Sequence, residues 1–171
     1  DFVSVNKKEL SLAEQANPYG FATAVVTNLS TLPRNPSGYL DIADCIMAFV
    51  TNEFPIHYEL LCQKLAPLYG NEKATVKVRR EVDYGLNRLQ GKIVKKGDFL
   101  FPKEWQKIIV RIPNNRKINH ISTEELAEAM NTILNATVGS TREGLCLETT
   151  RVYGWQRMTQ GIGESMNAAC D

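Results

Sequence analysis

Residues 72–101 read EKATVKVRREVDYGLNRLQGKIVKKGDFLF, and their pattern decides the fold. Val78, Val82, Leu86 and Leu89 recur at steps of three and four, which predicts a helix with one buried stripe. Gly91 stops it. Lys92 to Val94 and Asp98 to Phe101 then flank a Lys96-Gly97 turn, which predicts a β-hairpin. A helix running straight into a short hairpin is the closing half of a winged helix-turn-helix, with the hairpin as its wing.

The residues upstream supply the opening half. In YLDIADCIMAFVTNE, Ile42, Cys45, Ile46, Phe49 and Val50 stand at helical spacing. This helix should end near Asn52 or Glu53, because the residue before Pro55 is pushed out of the helical region. Pro55-Ile56-His57 is then extended. HYELLCQKLAPLYG resumes a helix, with Leu60, Leu61, Lys64 and Leu65 in register and Gly70 as its C-terminal cap. In this element order the third helix is the one presented to a major groove. Residues 1–38 are weakly patterned and are expected to be a linker or strap. Within them NKKELSLAEQ fits a short helix, GFATAVVTN fits a strand, and Pro33, Pro36, Ser37 and Gly38 mark a linker.

A second unit follows. KIIVRIP fits a strand and NNRKINH a polar loop. STEELAEAMNTILNATVG begins with a capping box, Ser122 accepting the Glu125 N–H and the Glu125 carboxylate reaching back. Its buried face is Leu126, Met130, Ile133 and Leu134. STREGLCLETTRVYG repeats the device with Ser140 and Glu143, and Gly154 closes it. RMTQGIGESMNAAC is a last helix, with Met158, Ile162, Met166 and Ala169 in step. The expected fold is therefore mainly α, of the α+β class: a winged helix-turn-helix half at 39–105, then a strand and three helices of helix-turn-helix appearance at 106–171.

Composition narrows the chemistry. The 171 residues are 43% hydrophobic and 23% charged, as in a soluble globular protein, and the net charge of +1 makes any electrostatic argument local. The apolar runs, such as Ala22 to Val26 and Ile46 to Val50, are too short for a membrane span or a signal-peptide core. The chain begins with Asp1, so it is expected to be a piece of a longer one. None of Cys45, Cys62, Cys146 and Cys170 forms a C-x-x-C pair, and the only histidines are His57 and His120, which argues against a metal site. Cys45, Cys62 and Cys146 sit at apolar helical positions and read as buried thiols of a reducing compartment, hence the cytoplasm.

Catalytic signatures are missing too. Gly85 to Ile93, GLNRLQGKI, is one residue too long for a phosphate loop and has Ile93 where Ser or Thr is needed. Glu124-Glu125 lies in a first helical turn, where the dipole favours carboxylates. His57 has no evident orienting carboxylate or nucleophile. It reads as a helix cap or a packing residue at the joint between two helices. No cofactor is implied.

The basic cluster is the informative feature. Lys73, Lys77, Arg79, Arg80, Arg88, Lys92, Lys95 and Lys96 are opposed in this stretch only by Glu81 and Asp83. Lys73, Lys77, Arg80, Tyr84, Asn87 and Arg88 share one helix face by steps of three and four. Lys92, Lys95 and Lys96 carry the charge onto the wing. These nine residues are the expected nucleic-acid contacts, with Lys73, Lys77, Arg80, Arg88, Lys95 and Lys96 on phosphates and Tyr84 and Asn87 adding stacking or hydrogen bonds. The alternative for such a run is a solvated helix face. A weaker patch is Arg151, Gln156, Arg157 and Thr159.

These motifs together resemble a conserved domain of unknown function near the C-terminus of large bacterial DNA helicases of the superfamily-one type. That domain carries E-G-P-I-H, a glycine before a basic helix, G-D-F-x-[WF], I-x-x-x-E-[LI] and R-x-x-G-[FW]-x-R-x-G in order. The counterparts are Glu53 to His57, Gly70, Gly97 to Phe101, Ile121 to Leu126 and Arg151 to Arg157. The resemblance spans Tyr39 to Ala169. Phe54 and Thr159 replace family glycines, and Gln63-Lys64 stand where two arginines are common, which weakens any phosphate role there. The resemblance implies a non-catalytic accessory domain within a larger, ATP-driven helicase-like chain, holding duplex or forked DNA. It carries over no catalytic residue. The competing expectation is a protein–protein or oligomerisation module, with apolar surface near Tyr19, Phe21, Trp105 or Trp155.

Overall fold

The computed structural model describes residues 17–112 and 116–171. The expected helix at residues 6–15 and part of the expected 114–120 loop lie outside them. The described chain is α+β: six α-helices, three short 3-10 turns and a three-stranded antiparallel sheet. None of these helices is long and apolar enough to cross a membrane.

Helix α1 (Ile42–Glu53) starts where the Asp41 carboxylate accepts the N–H groups of Ala43 and Asp44, at 2.9 and 3.3 Å. It stops at Glu53, as the following Phe54-Pro55 requires; that peptide bond is cis. Strand β1 (Ile56–His57) is followed directly by α2 (Tyr58–Leu65). A 3-10 turn over Ala66–Tyr69 ends at Gly70, whose φ of 70° lies in the left-handed region. Helix α3 (Val76–Arg88) is capped by Thr75, which accepts from the Val78 N–H at 3.3 Å. It is shorter than expected, so Lys73 lies before it. The hairpin β2 (Ile93–Lys96) and β3 (Phe99–Pro102) turns at Gly97-Asp98, one residue beyond expectation, because the left-handed residue of the turn, Gly97 with φ 57°, follows Lys96 in the strand. Strand β3 is central: β1 pairs with it through Ile56–Leu100 and His57–Phe99, and β2 through Lys95–Leu100 and Lys96–Phe99.

The buried stripe of α3 is Val78, Val82, Gly85 and Leu89, with Leu86 half-buried. Gly85 is there for proximity. A Cβ at this position would lie 2.5 Å from Ile46 Cδ1, so α1 and α3 cross through the glycine. These residues and Ile42, Cys45, Ile46, Phe49, Leu61, Cys62, Leu65 and Leu100 form one apolar cluster.

A second cluster joins Val110, Ile112 and Ile121 to the inner faces of α4 (Thr123–Ala136), α5 (Arg142–Val152) and α6 (Gln160–Cys170). The expected strands at GFATAVVTN and KIIVRIP do not form. One bridge, Ala22 with Arg111, is all that pairs them. Lys107 to Val110 alternate between solvent and core, but Arg111 and Ile112 are both buried, so the alternation breaks at the bridge. Segment 17–40 lies across both clusters. Tyr19 and Phe21 pack on the second, and Leu29, Leu32 and Leu40 on the first.

Three further expectations are corrected. Leu134 is exposed, and Ala129 lies buried in the α4 face with Met130 and Ile133. The α5 cap is Thr141 accepting from Gly144, one residue later than the expected Ser140–Glu143 pair; Ser140 instead meets the Thr137 hydroxyl. Ser122 does cap α4 through the Glu125 N–H at 3.1 Å, but the Glu125 carboxylate does not reach back. It is 0% exposed and engaged elsewhere.

That engagement joins the two clusters. Glu125 accepts from Arg111 Nη2 at 3.1 Å, from the Arg111 backbone N–H at 3.2 Å, and from Arg116 Nη1 and Nη2 at 2.8 and 2.7 Å. Arg111 also donates to the carbonyls of Glu53 and Pro55, at 2.5 and 3.3 Å. The Glu53 side chain is buried as well, held by Lys64 and by the Thr27 N–H. Replacing Glu125 by alanine removes the buried carboxylate that the Arg111 and Arg116 guanidinium groups share. We expect Glu125→Ala to cost about 3–5 kcal/mol, read as a lower urea midpoint. A midpoint within error of the parent would show that the two arginines are compensated by other groups.

Candidate nucleic-acid interface

The surface built from α3 and the β2–β3 hairpin holds all nine residues singled out by sequence. Lys73, Lys77, Arg80, Tyr84, Asn87, Arg88, Lys92, Lys95 and Lys96 are each exposed. They do not all sit alike. Lys73 is in the turn before α3 and Lys92 in the turn before β2, while Lys95 and Lys96 are neighbours on a strand and so point to opposite sheet faces.

Ion pairs divide the cations into two groups. Arg79 makes a two-pronged contact with Glu59, Nε and Nη2 each at 3.0 Å from a carboxylate oxygen. Arg88 Nη1 lies 2.8 Å from Asp41 Oδ2, so the carboxylate that caps α1 also anchors the end of α3. Each guanidinium holds its partner carboxyl below the usual carboxylate range. Lys73, Lys77, Arg80, Lys92, Lys95 and Lys96 pair with no carboxylate among the described residues.

Several of the unpaired lysines lean on aromatic rings. Lys95 Nζ is 5.1 Å from the Tyr58 ring centroid, and Lys77 Nζ is 6.0 Å from that of Tyr69. Lys96 Nζ is 4.9 Å from Trp105 and 5.5 Å from Phe101, which contact each other at 5.1 Å. The Tyr58 hydroxyl donates to Asp83 at 2.7 Å. Burial and that carboxylate hold the phenol well above its usual range, so it stays a donor. Sequence reasoning missed this aromatic layer because each ring lies in a different element from its lysine, and helical or strand periodicity does not connect elements.

His57 has a defined task. Its Nδ1 accepts the Glu59 N–H at 3.1 Å, capping α2. Its ring stands edge-on to Phe99 at 5.2 Å and 5.1 Å from His120, so the two histidines of the chain face each other. Among the described residues no group of three or more His, Cys, Asp or Glu is placed to hold a metal ion. All four cysteines are free thiols, and burial pushes Cys62 up to about 11.

Comparison with protein-family models, curated proteins and solved structures finds no match. The geometry must therefore carry the reading alone. It brings together a cation-bearing helix, a neighbouring cationic hairpin and rings that face three of the lysine ammonium groups. It does not bring Arg151, Gln156, Arg157 and Thr159 into that surface; they lie around the α5–α6 turn, with Arg151 paired to Glu148 at 2.7 Å.

Burial pushes the His120 imidazole below its usual range, helped by the facing His57 and by Lys117 and Arg116, against an opposing pull from Glu59. The unfolded chain therefore takes up this proton first, near pH 6.5, and stability falls as pH drops below that value. We expect the urea midpoint to decrease between pH 7.5 and pH 5.5, and His120→Phe to flatten the decrease. An equal decrease in the variant would assign it to other groups.

Proposed function

We propose that this chain is a non-catalytic DNA-contacting module with a winged helix-turn-helix layout, in which α1, α2 and α3 form the helical part and β2–β3 the wing. The observation that carries the reading is the set of exposed cations without carboxylate partners on α3, its entry turn and the hairpin. Several such cations on one surface neutralise several phosphates together and release their counterions. Arg79 and Arg88 are drawn to Glu59 and Asp41 across helix boundaries, and the six cations that remain are hydrated and available to a polyanion. The sequence resemblance adds the expectation of a larger bacterial helicase-like chain whose motor this module serves by holding duplex or forked DNA.

The test is a salt titration of binding to duplex, forked and single-stranded DNA. Replacing Lys73 and Lys77 together by glutamate should weaken binding and reduce the slope of log K against log salt by about 0.9 per lost contact. No binding of the parent chain to DNA at low salt would overturn the reading.

One observation favours the second reading, a protein–protein module. Leu147 is 60% exposed beside a groove lined by Cys146, Met158, Gly163 and Asn167, with exposed Val138 on the same half. Tyr19, Phe21, Trp105 and Trp155, near which an exposed apolar patch would have favoured this reading, are half-buried. If self-association uses this groove, light scattering should report a dimer in the parent and a monomer in Leu147→Asp. A parent that is monomeric at high concentration removes the self-association form of this reading.

A further inference from the structure

Helix α3 carries Arg79, Arg80 and Arg88, and the fold treats them differently. Glu59 draws Arg79 toward α2, and Asp41 draws Arg88 toward the start of α1. Arg80 meets no carboxylate among the described residues. At 100° per residue, Val76, Arg80, Tyr84 and Asn87 fall within an arc of about 80°, opposite Val78, Val82, Gly85 and Leu89. All four are exposed, Val76 by 72% and Tyr84 by 57%.

The crest contributes little to folding. An exposed valine buries little apolar surface, and valine and asparagine are both weaker helix formers than the lysine or glutamate that would serve there. Asp83, the acidic neighbour on this side, is turned to the Tyr58 hydroxyl. The crest therefore offers one unpaired guanidinium, one primary amide and one apolar branched side chain, with unpaired lysines around it.

We propose that this crest reads base edges in the major groove of B-form DNA, so that the chain prefers some duplex sequences to others. The inference rests on the DNA-contacting reading and moves Arg80 from phosphate to base. A guanidinium matches guanine O6 and N7 two-pronged, a primary amide matches adenine N6 and N7, and valine methyls suit the thymine methyl. Arg80 and Asn87 are separated by roughly 10 Å along the helix axis. At about 3.4 Å per base step, that is about three steps. Lys73, Lys77, Lys92 and Lys95 flank the crest and take the phosphates, which position without specifying. The groove of an RNA duplex is too deep and narrow for a helix, so the ligand is DNA.

The experiment is selection of the whole chain against DNA duplexes with a randomised centre, followed by titration of the enriched sequence. The expected result is a motif with guanine and adenine about three steps apart, bound at least about fivefold more tightly than its scrambled form. Arg80→Ala should erase discrimination at the guanine and Asn87→Ala at the adenine. Neither should change the salt slope as Lys73→Ala does. Circular dichroism establishes that each variant is folded. Binding without any enriched sequence overturns this inference and leaves the DNA-contacting reading standing. Equal binding to duplex RNA overturns the major-groove placement. No binding to any DNA overturns both readings.

Discussion

Glu125 is a carboxylate with no solvent exposure, and the fold is organised around what it needs. An ion removed from water has to find its partners inside the protein. Glu125 finds the Arg111 backbone N–H and the guanidinium groups of Arg111 and Arg116. Arg111 has donors to spare and gives them to the Glu53 and Pro55 carbonyls. These belong to the last residue of α1 and to the residue before β1, where a helix end leaves carbonyls without intrahelical partners. A helix of the second cluster thus sets the exit of the first helix of the other.

The consequences run toward the candidate interface by short steps. The exit of α1 places Ile56 and His57 against β3, and His57 then caps α2. The first turn of α2 presents Tyr58 and Glu59, which hold Asp83 and Arg79 of α3. Asp41, at the other end of α1, holds Arg88. Helix α3 is clamped along both edges, and its outer crest is left clear. The clamps neutralise Arg79 and Arg88 in place and so determine which cations stay unpaired among the described residues.

The parts legible in the sequence were those with a local cause. The α1 stripe, the break at Phe54-Pro55, the basic helix after Gly70 and the hairpin at Gly97 follow from periodicity, proline sterics and glycine. Their bounds moved by a residue or a few where a cap chose the register, as Thr75, Asp41 and Thr141 did. The five predicted contacts on α3 proved exposed because an amphipathic helix cannot bury both faces, and the lysines of the flanking turns and hairpin proved exposed with them. The two strands expected at 20–28 and 107–113 had no such local guarantee. Val25, Val26 and Ile109 are left exposed while Val110, Arg111 and Ile112 are buried, and one bridge is what pairs the two segments.

The sequence by itself determined that the chain has helices with one apolar stripe each, a short hairpin and a concentrated basic stretch, because these follow from spacing along the chain. The tertiary structure decided which charges are free. Arg79 and Arg80 are adjacent and chemically identical, and only the arrival of Glu59 from α2 separates them. Glu125 looked like half of a capping box until Arg111 and Arg116 came within reach of it. Pairing of a charge depends on groups distant in sequence, and its strength on how far burial lowers the local dielectric. Neither quantity is written in the order of residues.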